Sequence, residues 1–536
     1  MAAFRLRARQ PTGPIIEPRV VTDPDVVSAF LEDAAHFPGG HAAGVVTPAT
    51  ESEIAALLRS GVRVLPVGAQ SSLTGGATPM GETLVSTSRF NRILEVGSDF
   101  ARVEAGVTLA ALDAALAAAG RYYPPAPTFT GAFVGGTVAT NAAGAATFKY
   151  GATRDWVTAL TVVLSTGDVL DVVRGETIAH ADGYFELLLG RGTIRVPVPH
   201  YRMPAVPKCS AGYFSRQGMD LIDLFIGSEG TLGIVTAVTL RLAPVRPATC
   251  LAWVPFADRS DALAFVGRLR ETARETWRSR DPRGIDVSAI EHVDARCLEL
   301  LREDGVDRQQ GVTWPDGTAL ALLVTLELPP GAGAAGAFDE IGRARDDRAP
   351  DTPLVRFCRA LDAAGVLDDV EVAVPGDTAR AAQFIAVREA VPDAVNQRVG
   401  RAKQTIDPRI EKTAADMIVP FDRFEELLDC YDRGFERRGL DAAVWGHISD
   451  GNVHPNVIPR SFEDVEAGKA AILEFGREVI RMGGSPLAEH GVGRNPVKQR
   501  LLVEMYGEDG VGWMRRVKEA LDSRWTLAPG VVFSRG

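Results

Sequence analysis

Apolar and polar positions along the chain follow patterns that predict both helices and strands. Glu51–Ser60 and Leu109–Ala119 have the composition and periodicity of helices. Val62–Val67 predicts a short buried strand. Ala159–Leu164 and Val169–Val173 flank a Ser-Thr-Gly-Asp turn, which is typical of a hairpin. The mixture of the two periodicities indicates an α+β protein.

The pattern changes after Pro244, where helices such as Asp261–Thr276 begin to alternate with strands such as Thr318–Leu326. A chain of 536 residues exceeds the size of a single hydrophobic core. We therefore predict a lead-in over 1–40, one domain over 41–245, a second α+β domain over 246–430 and a C-terminal segment over 431–536. Residues 1–20 of the lead-in are expected to be flexible, and residues 177–216 are expected to form an irregular surface insertion.

Composition and charge narrow the class of protein. The hydrophobic fraction of 46% and the charged fraction of 24% are ordinary for a soluble protein. A net charge of -11 without a basic stripe argues against a nucleic-acid partner. The five widely spaced cysteines are typical of reduced thiols in a cytosol. No apolar run reaches the length of a membrane span, so we expect a cytoplasmic protein and leave peripheral membrane contact open.

Three segments of small residues stand out, at 68–76, 135–144 and 227–234. Small side chains let backbone N–H groups approach phosphate oxygens or a flat ligand closely. None of the segments fits the Gly-x-Gly-x-x-Gly fingerprint or the P-loop. Each alone is compatible with an ordinary tight turn, but three within one region favour a dinucleotide site.

Two histidines flank a turn-forming sequence near the C-terminus. His447 and His454 enclose Ser449-Asp450-Gly451-Asn452. Two strands joined by such a turn could bring both imidazoles to one point, and Glu489 could add the carboxylate of a divalent-metal site. The neighbouring His490 is a candidate base. The alternative is a pair of hydrogen-bonded structural histidines.

With Lys149-Tyr150-Gly151, the small-residue segments resemble the FAD-binding domain of the vanillyl-alcohol oxidase superfamily. Residues 447–454 and 489–493 resemble the His-x-x-Asp-Gly-Asn-x-His and Glu-His-Gly-x-Gly signatures of its D-lactate, glycolate and D-2-hydroxyglutarate dehydrogenase branch. The resemblance covers roughly 40–245 and 380–533. It implies a two-subdomain FAD-binding domain of the PCMH type, an α+β substrate (cap) domain and a helical C-terminal segment.

The resemblance also implies roles for individual side chains. Zinc or a similar divalent ion would be ligated by His447, His454 and Glu489. His490 would take the hydroxyl proton of the substrate, while Arg388 and Lys412 would bind its carboxylate. The rival carboxylate contacts are Arg398, Arg401 and Lys403.

The implied flavin contacts are spread over the small-residue segments and their neighbours. They are Pro66, Gly68, Ala69, Gln70, Ser71, Ser72, Leu73, Pro125, Gly135, Gly136, Thr137, Asn141, Gly144, Gly151, Glu229, Gly230, Gly233, Ile234 and Asn452. Several relatives attach FAD covalently through His, Cys or Tyr. No His or Cys occurs in the first two segments, so we expect non-covalent FAD.

The implied activity is oxidation of a D-2-hydroxy acid to the 2-keto acid, with hydride transfer to flavin N5. D-lactate or glycolate is favoured, and D-2-hydroxyglutarate comes next. Electrons would pass to a quinone, a cytochrome or an electron-transfer flavoprotein, and a homodimer stays open. The alternatives are a flavin transferase resembling alkyldihydroxyacetonephosphate synthase and the flavin subunit of a multi-chain electron-transfer complex. The C-terminal residues 527–533 lack the Asn-Pro-Gly-Lys of relatives, which leaves the acid undetermined.

Overall fold

The structure is a computed structural model that describes residues 3–14, 16–125, 127 and 129–536. The chain divides into two compact units. The first comprises Met1–Gly144, Gly151–Arg246 and Leu487–Gly536, and the second comprises Ala145–Tyr150 and Pro247–Pro486. Each unit has its own sheets and its own hydrophobic core.

The strands of the first unit form three sheets. They are β1 (Arg5–Arg7), β2 (Gly44–Val46), β3 (Val64–Val67), β4 (Thr83–Ser86), β5 (Ile93–Val96), β6 (Phe100–Glu104), β7 (Val157–Val163), β8 (Val169–Val173), β9 (Tyr184–Leu189), β10 (Gly192–Pro197) and β11 (Ile234–Arg241). A parallel sheet has the order β2-β4-β3, an antiparallel sheet has the order β5-β6-β11-β7-β8, and a third has the order β1-β9-β10.

The second unit is built around one eight-stranded sheet. Its strands are β12 (Ala248–Phe256), β13 (Asp286–Asp294), β14 (Leu320–Leu328), β15 (Glu371–Ala373), β16 (Thr413–Ala414), β17 (Met417–Ile418), β18 (Ala442–His447) and β19 (Asn452–Val457). Their order is β15-β12-β14-β13-β18-β19-β16, with β17 also paired to β19. The pairs of this sheet are antiparallel.

Helices connect and cover these sheets. They are α1 (Pro24–Ser28), α2 (Glu51–Ser60), α3 (Leu109–Ala118), α4 (Val134–Thr140), α5 (Thr147–Tyr150), α6 (Ile222–Phe225), α7 (Arg259–Ser279), α8 (Ala295–Glu303), α9 (Val306–Gln310), α10 (Ala334–Gly342), α11 (Pro353–Ala363), α12 (Thr378–Thr405), α13 (Phe424–Glu436), α14 (Phe462–Arg481) and α15 (Pro496–Leu521). Among the residues that the structure describes, no helix is both long and apolar enough to cross a membrane.

Helix α2 and strand β3 form as the apolar pattern predicts. Thr50 Oγ1 accepts the Glu53 N–H at 3.2 Å to cap the helix. Gly61 ends it in the left-handed conformation at φ 81°. Ile54 and Leu58 then pack in one buried cluster with Val64 of β3 and its neighbours. The strand runs directly into the first small-residue segment, so this packing fixes where that segment begins.

Helix α12 covers part of the sheet in the second unit. Phe384, Val387 and Val391 recur at three- and four-residue intervals on one face of the helix. They are buried in a cluster that includes Leu323 of β14 and Trp445 of β18. The same helix carries Arg388, so the packing of the helix fixes the position of Arg388 relative to the sheet.

The structure differs from the expectation that residues 1–20 are a flexible lead-in and that 177–216 are irregular. Strands β9 and β10 form an antiparallel hairpin within 177–216, and β1 pairs in parallel with β9. Arg5 Nη2 donates to Glu186 Oε2 at 2.6 Å across this pair. The apolar run before Gly192 was the hairpin signal that sequence reasoning missed. Residues 1, 2 and 15 lie outside the described part of the lead-in.

The second small-residue segment also differs from expectation, because most of it is helix α4 rather than a loop. Glycines are poor helix formers, so tertiary contacts decide the conformation here. A Cβ on Gly135 would lie 2.6 Å from the Cβ of Ala105, the residue that follows β6, so only glycine lets the helix approach the end of this strand so closely. Asn141 ends the helix in the left-handed conformation at φ 49°.

Candidate active site

The first small-residue segment is a fixed loop between β3 and β4. Gln70 adopts a left-handed φ of 52°, and its Nε2 donates to the Phe30 carbonyl at 2.9 Å. Ser72 Oγ accepts the N–H groups of Thr74 and Gly76, both at 3.3 Å. Gln70 thus fastens the loop to the preceding segment, and Ser72 binds the loop's own backbone, so both side chains restrict the loop's conformation.

Adjacent glycines of helix α4 have opposite surroundings. Gly135 is closed in by Ala105, whereas a Cβ built on Gly136 has no heavy atom of the described residues within 4 Å apart from its chain neighbours and the backbone of its own helix. Gly136 therefore borders open space that a side chain would fill. A flat ligand can approach the backbone closely at such a position.

The third small-residue segment is tied to the Glu489–Gly493 loop through Glu229. The Glu229 carboxylate accepts the N–H of Val492 at 2.8 Å and that of Gly493 at 2.9 Å. Burial raises the pKa of Glu229 to about 7, although these two donors favour the charged form. Glu229 also has a left-handed φ of 51°, which fixes its backbone in a tight turn. This contact holds two sequence motifs together within the first unit.

A buried lysine ties the C-terminal segment to the same region. Lys518 Nζ donates to the Thr231 carbonyl at 2.6 Å, to Asp522 Oδ2 at 2.6 Å and to the Leu527 carbonyl at 2.8 Å. All three hydrogens of the ammonium are therefore used, as the burial of a charge requires. Leu527 of the C-terminal segment is thus anchored beside the third small-residue segment.

The first unit holds nearly all the predicted flavin contacts. It contains Pro66, Gly68, Ala69, Gln70, Ser71, Ser72, Leu73, Pro125, Gly135, Gly136, Thr137, Asn141, Gly144, Gly151, Glu229, Gly230, Gly233 and Ile234, together with Glu489 and His490. The second unit contains Asn452, His447, His454, Arg388 and Lys412.

The β18–β19 hairpin brings two of the predicted metal ligands together. Trp445 pairs with His454, and His447 pairs with Asn452, so the two histidines are diagonal neighbours on one face. Their ring centroids are 5.6 Å apart and both are buried. Gly451 closes the turn at φ 87°, a conformation that favours glycine.

Each histidine faces a buried carboxylate that sequence reasoning did not assign to the site. His447 Nδ1 lies 2.5 Å from Glu291 Oε1, and His454 Nδ1 lies 3.4 Å from Asp416 Oδ1. Burial disfavours charge on Glu291, but the charges of Arg388 and His447 outweigh it and lower its pKa to about 2. The ionised carboxylate only accepts, so His447 Nδ1 must carry a proton. In the neutral ring the lone pair is then on Nε2, the atom suited to a metal.

The predicted carboxylate anchor Arg388 contacts the same glutamate. Its Nε donates to Glu291 Oε2 at 2.6 Å, and its side chain is 16% exposed. Lys412, the second predicted cation, is exposed in the second unit. Glu291 lies within the buried strand β13, and an acid between Ile290 and His292 of a strand was the signal that could have identified it.

Asn452 is held inside the second unit. Its Nδ2 donates to Asp416 Oδ1 and to the Met417 carbonyl, both at 2.9 Å. Its Oδ1 is buried and accepts no hydrogen bond from the described residues. A buried acceptor without a donor is costly, so this atom is suited to a ligand or water.

Glu489 and His490 are neighbours in the first unit. Lys208 Nζ donates to Glu489 Oε2 at 2.7 Å, and the two side chains are 1% and 7% exposed, respectively. His490 Nε2 lies 3.6 Å from Glu489 Oε1, and its side chain is 29% exposed. Lys208 comes from 177–216 and was missed because the contact joins residues 281 positions apart. A lysine within an apolar, small-residue stretch was the available signal.

Two family models match the chain. The FAD binding domain matches residues 42–172, and the C-terminal domain of FAD linked oxidases matches residues 256–532. D-lactate dehydrogenase of Archaeoglobus fulgidus is 29% identical over 91% of this chain and 90% of its own length. D-2-hydroxyglutarate dehydrogenase of Xanthomonas citri pv. viticola is 28% identical over 96% of this chain and 94% of its own. These matches confirm the family resemblance that the sequence motifs indicated.

Solved structures agree in fold. 4-Ethylphenol oxidase from Gulosibacter chungangensis has a TM-score of 0.61 at 16% identity and covers 96% of this chain and 94% of its own. Alkyldihydroxyacetonephosphate synthase has a TM-score of 0.57 at 13% identity, and the match covers 98% of this chain and 89% of the synthase chain. They confirm the predicted fold class. Because the C-terminal family model alone spans more than half of the sequence, the chain belongs to the family of FAD-linked oxidases.

Proposed function

We propose that this protein is an FAD- and divalent-metal-dependent dehydrogenase that oxidises a D-2-hydroxy acid to the 2-keto acid, with D-lactate or glycolate as the favoured substrate. The observation that carries the proposal is the buried pair of His447 and His454, each beside a carboxylate, in a member of the FAD-linked oxidases. The relatives named D-lactate and D-2-hydroxyglutarate dehydrogenases support the same substrate class.

FAD is proposed to bind non-covalently along the small-residue segments of the first unit. The open space at Gly136 and the rigid loop around Ser72 fit a cofactor that lies against backbone. Bound FAD supplies N5 as the acceptor of the α-hydrogen and its two electrons. Asn452, whose buried Oδ1 accepts no hydrogen bond from the described residues, is proposed to contact the flavin.

The proposed metal ligands are His447, His454 and Glu489. Two imidazoles and one carboxylate form a donor set that suits zinc and similar divalent ions. Hydrogen bonding of His447 Nδ1 to a carboxylate supports this role, because metal-binding histidines usually donate their second ring N–H in this way. A bound divalent ion supplies a Lewis acid that lowers the pKa of the substrate hydroxyl.

The remaining side chains bind the acid and move the proton. Arg388 is proposed to bind the substrate carboxylate with its guanidinium, and Lys412 adds a second positive charge. Oxidation removes one proton from the hydroxyl group and the α-hydrogen with two electrons from the carbon. His490 is proposed to take the hydroxyl proton, since it is partly exposed and adjacent to the proposed ligand Glu489.

Electrons are proposed to leave the reduced flavin for a quinone, a cytochrome or an electron-transfer flavoprotein. A flavin subunit of a multi-chain complex is the second candidate. It would need an iron–sulfur centre on another chain, because the five cysteines of this sequence are scattered. Likeness to alkyldihydroxyacetonephosphate synthase concerns the fold alone and does not favour a transferase.

Anaerobic mixing with hydroxy acids tests the reaction class. We expect D-lactate or glycolate to bleach the flavin absorbance, and L-lactate to do so far more slowly, because one enantiomer directs its α-hydrogen to the flavin. Stopped-flow absorbance across matched D- and L-acids measures this. A flavin that stays oxidised with every D-acid and with glycolate would exclude the proposed function.

Adjacent glycines provide a test of FAD binding. Gly136→Ala should leave the apoprotein fold intact, because its Cβ meets no protein atom, but should weaken FAD binding. Gly135→Ala should instead lower the thermal stability of the apoprotein, because its Cβ collides with Ala105. Fluorescence titration with FAD measures the affinity for the cofactor, and thermal melting of the apoprotein measures its stability, so the two measurements separate the two predicted effects. Unchanged FAD affinity in Gly136→Ala would remove this residue from the proposed cofactor site.

Elemental analysis tests the metal site. The purified chain should hold one divalent ion, and His447→Ala and His454→Ala should each lose it because two donors hold the ion poorly. His292→Gln is the matched control. This histidine is buried in the adjacent strand, and its burial lowers its pKa to about 4, but it belongs to no proposed ligand set. Metal retained in both alanine variants would refute the ligand assignment.

His490→Ala tests the proposed base. Flavin reduction by the D-acid should fall by roughly 10²–10⁴-fold, the usual contribution of general-base catalysis, while FAD and metal stay bound. Rapid-mixing kinetics with metal and flavin contents provide the measurement. His200 is an exposed histidine of the same unit, and in the control variant His200→Ala the flavin should be reduced at the wild-type rate. Loss of metal from His490→Ala would instead make His490 a ligand.

A further inference from the structure

A single buried carboxylate in the second unit binds two of the proposed functional groups at once. Glu291 Oε1 accepts from His447 Nδ1 at 2.5 Å, and Glu291 Oε2 accepts from Arg388 Nε at 2.6 Å. The carboxylate side chain is only 8% exposed. Each oxygen therefore has its own charged or polar donor, and water contributes little to solvating the charge.

The surrounding fold fixes all three groups. Glu291 lies on β13 directly opposite His447 of β18 in an antiparallel pair. Arg388 is carried by α12, whose apolar face is buried against the same sheet. A strand pair and a packed helix thus deliver three side chains to one point, and none of them depends on a loop.

The chemistry of the contact requires an anion. A carboxylate can accept from both donors, whereas a glutamine side chain has one acceptor oxygen and one NH₂ donor. Glutamine can satisfy either His447 or Arg388 and must direct its NH₂ toward the other. Removal of one partner from a buried charged pair is costly, so the group left behind moves or recruits water.

We infer that Glu291 is a positioning residue that sets both the metal-ligating histidine His447 and the carboxylate-binding Arg388. This assignment rests on the proposed function, in which His447 binds the metal and Arg388 binds the acid. Glu291 touches neither substrate nor cofactor in this scheme. It fixes the tautomer of His447 through Nδ1 and the direction of the Arg388 guanidinium through Nε.

The two contacts predict two separable effects of Glu291→Gln. Metal affinity should fall roughly 10- to 100-fold, the usual effect of losing an outer-shell partner of a ligand. KM for the D-acid should rise by at least about tenfold as Arg388 loses its charged partner. At saturating metal and acid, kcat should stay within a few-fold of wild type, because the proposed base is untouched.

The experiment compares Glu291→Gln and Glu291→Asp with Asp294→Asn in the FAD-loaded chain. Asp294 is a matched control because it is a half-buried carboxylate on the same strand whose oxygens accept the backbone N–H groups of Cys297 and Val444 rather than side-chain donors. Cobalt(II) titration, followed through its visible ligand-field bands, reports metal affinity and ligand geometry without turnover. The Glu291→Asp variant keeps the negative charge on a shorter side chain that cannot reach both partners equally. It should therefore recover part of either the cobalt affinity or the KM that Glu291→Gln loses. Asp294→Asn should keep wild-type cobalt affinity and KM.

A double-mutant cycle separates positioning from general destabilisation. In an Arg388→Met background, Glu291→Gln should raise KM little further, because the group it positions is already gone. The same double variant should still show the weakened cobalt binding. Additive effects on KM would refute the link to Arg388.

The outcomes distinguish this assignment from the proposed function. Wild-type cobalt affinity and KM in Glu291→Gln, with an active wild-type enzyme, would overturn the assignment of Glu291 alone. A wild-type chain that binds no cobalt or zinc and reduces no flavin with any D-acid would overturn the proposed function and the assignment with it. Equal losses of cobalt affinity and equal rises in KM in Glu291→Gln and Asp294→Asn would show a structural role only. That result would also overturn the assignment of Glu291.

Discussion

Antiparallel pairing of β13, β18 and β19 is the constraint on which the candidate site of the second unit depends. Because these strands are adjacent, Glu291 lies opposite His447, and the hairpin turn places His454 diagonally across from His447. Side chains alternate strictly along a strand, so a shift of one residue would turn each of these groups to the other face. The apolar contacts of α12 and the glycine at the turn both serve to maintain this register.

Burial of charge follows one rule at three places among the described residues. A buried ion costs several kcal/mol unless partners satisfy it. Glu291 has Arg388 and His447, Lys208 has Glu489, and Lys518 has Asp522 with two carbonyls. The sites in which charge is concentrated are therefore also the sites with the most restricted side chains, and restricted geometry is what binding and catalysis require.

The first unit uses small residues for a different purpose. Gly135 lets α4 approach β6, and Gly136 leaves the adjacent space open. Glu229 then connects the third segment to the backbone of Val492 and Gly493. Two neighbouring glycines of one segment thus have different effects. Gly135 allows two stretches of backbone to pack closely, and Gly136 leaves open space beside the backbone. That division explains why such a segment tolerates little side-chain volume along its length.

Local pattern in the sequence determined α2, β3, the hairpin about Gly451 and the motifs that identify a FAD-linked oxidase, because each depends on residues close together in the chain. Local signals failed for α4, since its glycines are helical only because β6 lies beside them. They also failed for β1, whose partner β9 lies about 180 residues away. Glu291 and Lys208 were missed for the same reason, because a buried acid or lysine acquires meaning only from its partner. Sequence alone thus determined the family and the chemical groups, and tertiary structure decided which charges meet, because burial makes each charge depend on a neighbour that only folding supplies.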